Sequence, residues 1–395
     1  MRNKLEFQAD RIETVLALNK VPARVTGGTV TPRWVRFQVL PAVGAKISKI
    51  KRLSEEMAAA LDAPSCRVSR RGAAVAVEVP REDPQPVRLF PLCRQLNDGD
   101  ERGNGCGIPP VTAILGLAED GAPLLIRLPS PDVAHILVAG TTGSGKTVLL
   151  QTMILSLAMA NSPADILGLS NSRDSRGGQI AMVLIDPKGH AFRPFEALPH
   201  LARPVIQDVE EMTEALQSLV RLMERRDRSR SGGRQPSVVV FIDELADLLM
   251  VGGKPVQLAL TRLTQRGREA GVHIVAATQK PTTAVLGSLI KGNFPVRLVG
   301  RVTSIADART ASGWSGTGAE RLMGRGDFLA VAEGRVIRFQ AAHISLEEIR
   351  EVVPYVMQGG VLCTDLPVDP PADRPFLPWP TRRLTGVFRG GLQSE

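Results

Sequence analysis

Apolar and polar positions follow different periods in different regions of the chain, and the changes of period divide it into three parts. In the first part, residues 1–128, an amphipathic stretch from Leu5 to Leu18 predicts a helix, and a similar stretch from Ser48 to Leu61 predicts another. The alternation in AAVAVEVP, residues 73–80, predicts a strand. We therefore predict a small α+β domain over residues 1–128.

The second part, residues 129–345, contains four short apolar runs separated by longer segments with helical periodicity. Such runs are typical of strands that are buried on both faces. Their alternation with helices predicts an α/β domain with a mostly parallel sheet. The four runs are Ile136–Ala139, Ala181–Ile185, Val238–Ile242 and Val272–Ala277.

The third part, residues 346–395, is rich in proline and glycine, as in PVDPPADRPFLPWP. Because this composition disfavours a packed core, we predict a tail that is largely extended or disordered. No apolar run is long enough to span a bilayer, and the first twenty residues lack the pattern of a signal peptide. The sequence thus predicts no membrane segment.

The first apolar run leads into HILVAGTTGSGKTV, which matches the pattern GxxxxGK[ST] at every fixed position. Glycines let the backbone curl, so that its N–H groups and the start of the next helix face a phosphate. In this motif Lys146 contacts the β- and γ-phosphates, and the Thr147 hydroxyl ligates Mg²⁺. The predicted site for ATP and Mg²⁺ consists of Gly140, Thr141, Thr142, Gly143, Ser144, Gly145, Lys146 and Thr147.

An acidic pair follows the third apolar run in SVVVFIDE, at the end of a predicted strand. Ligands gather at the carboxyl ends of strands in open α/β sheets, so we predict that Asp243 holds Mg²⁺ and that Glu244 polarises the attacking water. Gln279, supported by Thr278, follows the fourth run and is predicted to sense the γ-phosphate and orient the water. Without the phosphate motif, the acids alone would be interpreted as solvated.

Composition and charge restrict the classes of molecule that the chain is expected to bind. A net charge of +9 and an isoelectric point of about 9.8 suit a polyanion, although many basic proteins bind none. Aromatic residues make up only 4% of the chain, which argues against a stacking platform for single-stranded nucleic acid. The four cysteines form no CxxC pair, which favours buried thiols in a reducing compartment, the cytoplasm.

Several stretches between residues 135 and 330 resemble, in the same order, the motor region of the FtsK/SpoIIIE family of double-stranded DNA translocases. The preceding stretch VTPRWVRFQVLPAVGAKISKIKRLSEEMAAAL resembles the small domain before that motor. The motor stretches are HILVAGTTGSGKTVLLQTMILSL, MVLIDPKG, LPHLARPVIQD, RLMERR, VVVFIDELADLLM, LTQRGREAGVHIVAATQKP, LIKGNFPVRLVGRVTSIADARTASG and GAERLMGRGDFL.

The resemblance implies a RecA-like P-loop NTPase core that assembles into a hexameric ring around duplex DNA, with ATP between neighbouring subunits. It also implies that Arg268 is an arginine finger that acts on the neighbour's site. From the residues alone, Arg268 would be interpreted as part of a solvated basic helix face with Arg262 and Arg266.

The resemblance also implies that Lys280, Lys291 and Arg309 contact DNA phosphates. A motor without sequence preference is expected to bind the DNA backbone rather than the bases. One position departs from the family pattern. Ile305 stands where a lysine is usual, which weakens the expectation for the segment that carries Arg309.

The leading hypothesis is a ring-shaped, ATP-driven and sequence-nonspecific pump for double-stranded DNA. The alternatives are a HerA-type or conjugative coupling ATPase, a type VII secretion-like ATPase for protein export, and a ring adaptor that binds ATP without hydrolysing it. Intact Lys146, Asp243 and Glu244 argue against the adaptor. We expect neither the membrane domain nor the winged-helix domain of the family's division proteins, and no recruiting protein is indicated.

Overall fold

A computed structural model of the chain describes residues 2–72, 74–97, 108–164, 178–229, 235–279, 281 and 292–357. The chain divides into two compact units, Met1–Pro86 and Val87–Glu395. Each unit has its own hydrophobic core.

The first unit is an α+β domain with a four-stranded antiparallel sheet in the order β1-β2-β4-β3. Apolar residues at alternate positions of the central strands, among them Phe37 and Val77, pack against helix residues such as Ile12, Leu16 and Met57. Its elements are α1 (Arg2–Leu18), β1 (Ala23–Val30), β2 (Trp34–Pro41), α2 (Ile47–Arg52), α3 (Ser54–Ala60), β3 (Arg67–Arg71) and β4 (Ala74–Pro80).

A ten-stranded sheet forms the centre of the second unit, in the order β6-β5-β14-β13-β12-β7-β11-β10-β9-β8. The six strands from β12 to β8 run parallel, and the other four are antiparallel. The strands are β5 (Thr112–Ala118), β6 (Pro123–Arg127), β7 (Ile136–Ala139), β8 (Asn161–Pro163), β9 (Gly178–Ile185), β10 (Ser237–Ile242), β11 (Val272–Thr278), β12 (Val296–Val299), β13 (Asp327–Ala332) and β14 (Arg335–Ala341). The predicted α/β fold class is confirmed.

Helices cover both faces of this sheet. The helices are α4 (Leu89–Asn97), α5 (Lys146–Ala160), α6 (Val209–Arg228), α7 (Leu245–Arg266), α8 (Ile305–Ser312) and α9 (Leu346–Met357). Helix α5 belongs to one core cluster with α4 and α9, and α6 and α7 belong to the cluster on the other face. Because α5 is buried on nearly all sides, its apolar residues are spread around the helix rather than confined to one face.

Two predicted boundaries differ from the structure. Strands β5 and β6 lie before residue 128, yet they extend the large sheet because Phe339, Gln340 and Ala341 pair with β5. The first unit therefore ends near Pro86 rather than at residue 128. The segment predicted as an extended tail from residue 346 begins with helix α9, whose Ile349 and Val352 are buried, and residues 358–395 lie outside the described part of the chain.

Candidate nucleotide site

Four neighbouring parallel strands, β7, β11, β10 and β9, end at the same edge of the large sheet. Carboxyl ends of adjacent parallel strands face one crevice, which is where ligands bind in open α/β sheets. The segments that follow these strands carry most of the predicted site residues. Most of the predicted site residues are therefore located at this one edge of the sheet.

The phosphate loop, residues 140–145, joins β7 to the first turn of α5. Gly143 and Gly145 adopt φ angles of 78° and 102°, a region that side chains with a Cβ rarely enter. A Cβ on Gly145 would also lie 2.8 Å from the backbone nitrogen of Gly326, so no larger residue fits there. Helix α5 begins at Lys146, which leaves unpaired N–H groups at the loop, the arrangement that attracts an anion.

Lys146 is buried, and its ammonium points back into the loop. It donates to the carbonyl oxygens of Gly140 and Thr141, at 2.8 and 3.2 Å. Burial lowers the pKa of Lys146, while the nearby carboxylates of Glu244 and Asp243 act in the opposite direction. A buried ammonium group that is held by neutral carbonyls can exchange them for a phosphate.

Asp243 follows β10 and lies beside the first turn of α5. The Thr147 hydroxyl donates to its Oδ1 at 3.4 Å. Burial raises the pKa of Asp243, and the neighbouring carboxylates of Asp186 and Glu244 raise it further. A hydroxyl and a desolvated carboxylate are oxygen donors of the kind that Mg²⁺ takes alongside phosphate and water. The residues present therefore fit a magnesium ion, which would also relieve the repulsion among the acids.

Glu244 is only 3% exposed and is held by the end of β11. The Thr278 hydroxyl donates to its Oε1 at 2.8 Å, and the backbone N–H of Gln279 donates to Oε1 and Oε2 at 3.2 and 3.1 Å. The Gln279 side chain accepts a hydrogen bond from the Thr142 hydroxyl at 3.0 Å. Gln279 thus connects the phosphate loop to the acid that was predicted to polarise water.

The turn at Gly324–Gly326 was not predicted to belong to the site. Its Arg325 and Gly326 donate backbone N–H groups to the carbonyl oxygens of Gly143 and Ser144, at 2.9 and 2.8 Å. This turn therefore stabilises the curled loop from outside. Apart from the family resemblance of GAERLMGRGDFL, the glycines were the signal for this turn, since a backbone contact leaves no trace in side-chain chemistry.

Arg268 lies far from these residues. It was predicted to lie on a helix, but α7 ends at Arg266 and Arg268 occupies the exposed turn before β11. Arg262 and Arg266 form ion pairs with α6, whereas Arg268 has no ion pair among the described residues. Because β11 separates Arg268 from Thr278 and a strand of seven residues spans roughly 20 Å, Arg268 cannot reach the site of its own subunit.

The residues predicted to contact DNA are only partly described. Lys280 and Lys291 lie outside the described residues. Arg309 is exposed on α8, one helical turn after the exposed Ile305. Their proposed role stays a prediction.

The sheet order, the phosphate loop and the acids beside it define the class of a P-loop ATPase. Solved structures share this fold. The pCW3 conjugation coupling protein TcpA, determined with ATPγS, aligns with a TM-score of 0.56 at 18% identity, over 89% of this chain and 99% of that one. The cytoplasmic domain of the type VII secretion ATPase EccC of Thermomonospora curvata aligns with a TM-score of 0.51 at 25% identity, over 62% of this chain and 31% of that one.

The chain belongs to the FtsK/SpoIIIE family. Residues 109–231 and 227–283 match that family, and residues 1–81 match the FtsK alpha domain. The DNA translocase FtsK of Sporosarcina ureae is 32% identical over 90% of this chain and 46% of its own length. The DNA translocase SpoIIIE of Bacillus subtilis is 32% identical over 88% of this chain and 45% of its own length. The chain thus spans about half the length of these relatives. Among the described residues, no helix has the length and apolar composition that a membrane span requires.

Proposed function

We propose that the chain hydrolyses ATP and couples hydrolysis to the sequence-independent movement of double-stranded DNA through a ring of its own copies. The observation that carries the proposal is the network in which Gln279 joins Thr142 of the phosphate loop to the buried Glu244. Such a link lets the terminal phosphate of ATP influence the acid that acts on water. The names of the family members support DNA as the substrate.

Each residue has a separate task in this proposal. Lys146 exchanges the carbonyls of Gly140 and Thr141 for phosphate oxygens. Thr147 and Asp243 would hold Mg²⁺, which would supply charge neutralisation at the phosphates. Glu244 orients the attacking water and accepts its proton, and Gln279 holds the water in line.

A second subunit completes the site. Arg268 is exposed before the amino end of β11. The length of this strand places it roughly 20 Å from the site of its own chain. An arginine that stabilises charge on the transferred phosphoryl group can come from a neighbouring molecule. We therefore assign Arg268 to the neighbour's nucleotide and infer a closed ring, for which six copies are expected in this family.

DNA phosphates are the proposed contacts of Lys280, Lys291 and Arg309. Contacts of this kind give affinity without sequence preference and fall steeply with salt. The free thiols of Cys66 and Cys93 suit the cytoplasm, the compartment we propose. The structural similarity to a coupling protein and an export ATPase concerns the fold, and does not favour those functions.

The test is the steady-state ATPase rate with and without long linear duplex DNA, over a series of salt concentrations. We expect duplex to stimulate hydrolysis and the stimulation to fall steeply as salt rises. Arg309→Gln should lower the DNA-stimulated rate more than the basal rate, and Arg335→Gln, which removes another exposed arginine, should lower neither. A rate that duplex DNA leaves unchanged at low salt would overturn the assignment of DNA as the substrate.

A further inference from the structure

Asp186, which follows β9, is fully buried and holds one turn of the backbone in place. Its Oδ1 accepts the N–H groups of Lys188 and Gly189, at 3.3 and 3.0 Å. Its Oδ2 accepts those of Ala191 and Phe192, at 2.7 and 3.1 Å. Both oxygens of the carboxylate are therefore used within the turn. Charge-assisted hydrogen bonds of this kind are strong, so the turn has a well-defined geometry.

The side chain that this turn presents to the site is Lys188. Its Nζ lies 3.1 Å from Oδ2 of Asp247, on the first turn of α7, and the two side chains are 44% and 42% exposed. The hydrogen bond with Asp247 raises the pKa of Lys188, and the carboxylates of Glu244 and Asp243 raise it as well. Lys188 in turn lowers the pKa of Lys146. Two ammonium groups thus approach the same acids, one from β7 and one from β9.

We propose that Lys188 is a second phosphate-binding lysine, which leaves Asp247 and contacts the terminal phosphate of ATP. The inference deepens the proposed function and rests on it. Solvent screens a half-exposed ion pair, which therefore contributes little stability, so its loss costs little. A terminal phosphate offers more negative charge and three acceptor oxygens, and the flexible lysine side chain can follow it. Asp247 is the resting partner of Lys188 and competes with the nucleotide for it.

This arrangement gives the site a way to distinguish ATP from ADP. Only a nucleotide with a third phosphate offers the contact, so Lys188 contributes to the affinity for ATP and little to that for ADP. Hydrogen bonds to charged groups correspond to roughly a tenfold or larger change in affinity. The two lysines would then have different effects on affinity. Lys146 contacts both ATP and ADP, whereas Lys188 contacts ATP alone.

The experiment measures the affinities of the full chain for ATPγS and for ADP, with Mg²⁺ present, by titration calorimetry. Lys188→Ala should weaken ATPγS binding roughly tenfold or more and leave ADP binding within a small factor of the wild-type value. Lys254→Ala, which removes an exposed lysine from α7, is the matched control and should change neither affinity. Equal changes for the two nucleotides in Lys188→Ala would overturn the inference.

A double-mutant cycle separates a direct contact from a general charge effect. Asp247→Asn should strengthen ATPγS binding in the wild-type background, because Lys188 is released in advance. The same substitution should have a much smaller effect in the Lys188→Ala background, where only the loss of a negative charge near the phosphate remains. An effect of equal size in both backgrounds would contradict the exchange of partners. If the wild-type chain binds neither nucleotide, the proposed function itself fails, whereas wild-type binding with an unchanged Lys188→Ala variant removes only this inference.

Discussion

The two ends of the large sheet in the second unit differ in how their polar groups are paired. At the carboxyl ends of β7, β9, β10 and β11, charged side chains contact one another and the backbone, as in the pairing of Lys188 with Asp247. At the amino ends of β7 and β11, the buried polar groups are His135 and His273, and the charged Arg268 lies in the exposed turn beside them. Among the described residues, the Nε2 atoms of these histidines have no hydrogen-bond partner.

This difference fits the proposal that one chain carries two halves of a catalytic site. The carboxyl end brings together the residues proposed to hold phosphate, Mg²⁺ and water, and these residues already contact one another or the phosphate loop. At the amino end, the exposed Arg268 is accessible to another molecule. Under the proposed function, a single subunit binds nucleotide at the carboxyl end and contributes Arg268 to a neighbour at the amino end.

Arg268→Ala should cause the largest loss. Removal of a finger arginine lowers the hydrolysis rate on the order of a thousandfold, because charge on the transferred group loses its partner. The affinity of the same variant for ATP should stay close to wild type, since the phosphate loop of each chain is intact. Rates and ATPγS affinities measured together check this. Arg262→Ala is the control, and a similar loss there would mean that the whole basic surface matters rather than Arg268.

Glu244→Gln should lower the hydrolysis rate roughly a hundredfold or more, since a general base contributes that much. The amide keeps the size of the side chain and can still accept from Thr278, so ATP binding and folding should survive. Single-turnover hydrolysis and ATPγS titration measure the two properties. If the variant hydrolysed ATP at the wild-type rate, the base would have to be another group.

Lowering the pH should reduce the stability of the folded chain, because its buried histidines resist protonation. Burial lowers the pKa of His135 to about 3 and those of His200 and His273 to about 4, from an ordinary value of 6.5. The unfolded chain binds protons below pH 6.5 and the folded chain does not, so stability is complete above pH 6.5 and falls as the pH drops toward 4. At pH 5 the loss is roughly 2 kcal/mol for each histidine.

Denaturant unfolding at pH 7 and pH 5 measures this effect, which concerns the amino end of the sheet and the nearby core rather than the nucleotide site. His135→Asn keeps an acceptor for the N–H of Ile274 and should reduce the difference between the two pH values. A stability that does not change between pH 7 and pH 5 would show that these histidines are protonated without cost in the folded chain.

Local patterns in the sequence predicted where the phosphate loop and the acids lie, at the ends of neighbouring strands, because a short motif and the strand ends fix their positions. Their roles stay predictions. The pairing of β5 with β14 was missed, since Gly116 and Ala341 are far apart in the chain and no local pattern records their contact. The backbone contacts of Gly324–Gly326 and the pairing of Lys188 with Asp247 were missed for the same reason. Arg268 was assigned by resemblance, and only the structure shows which end of the sheet it occupies.

A titration that mixes two inactive variants tests the division between the two ends most directly. Arg268→Ala has an intact phosphate loop, and Lys146→Ala has an intact Arg268. In a mixed ring, an Arg268→Ala subunit can therefore receive the arginine of a Lys146→Ala neighbour. We predict that ATPase activity, measured at fixed total protein and saturating duplex DNA, rises to a maximum at intermediate ratios of the two variants. Activity that stays at zero at every ratio, while crosslinking shows that mixed assemblies have formed, would contradict the account.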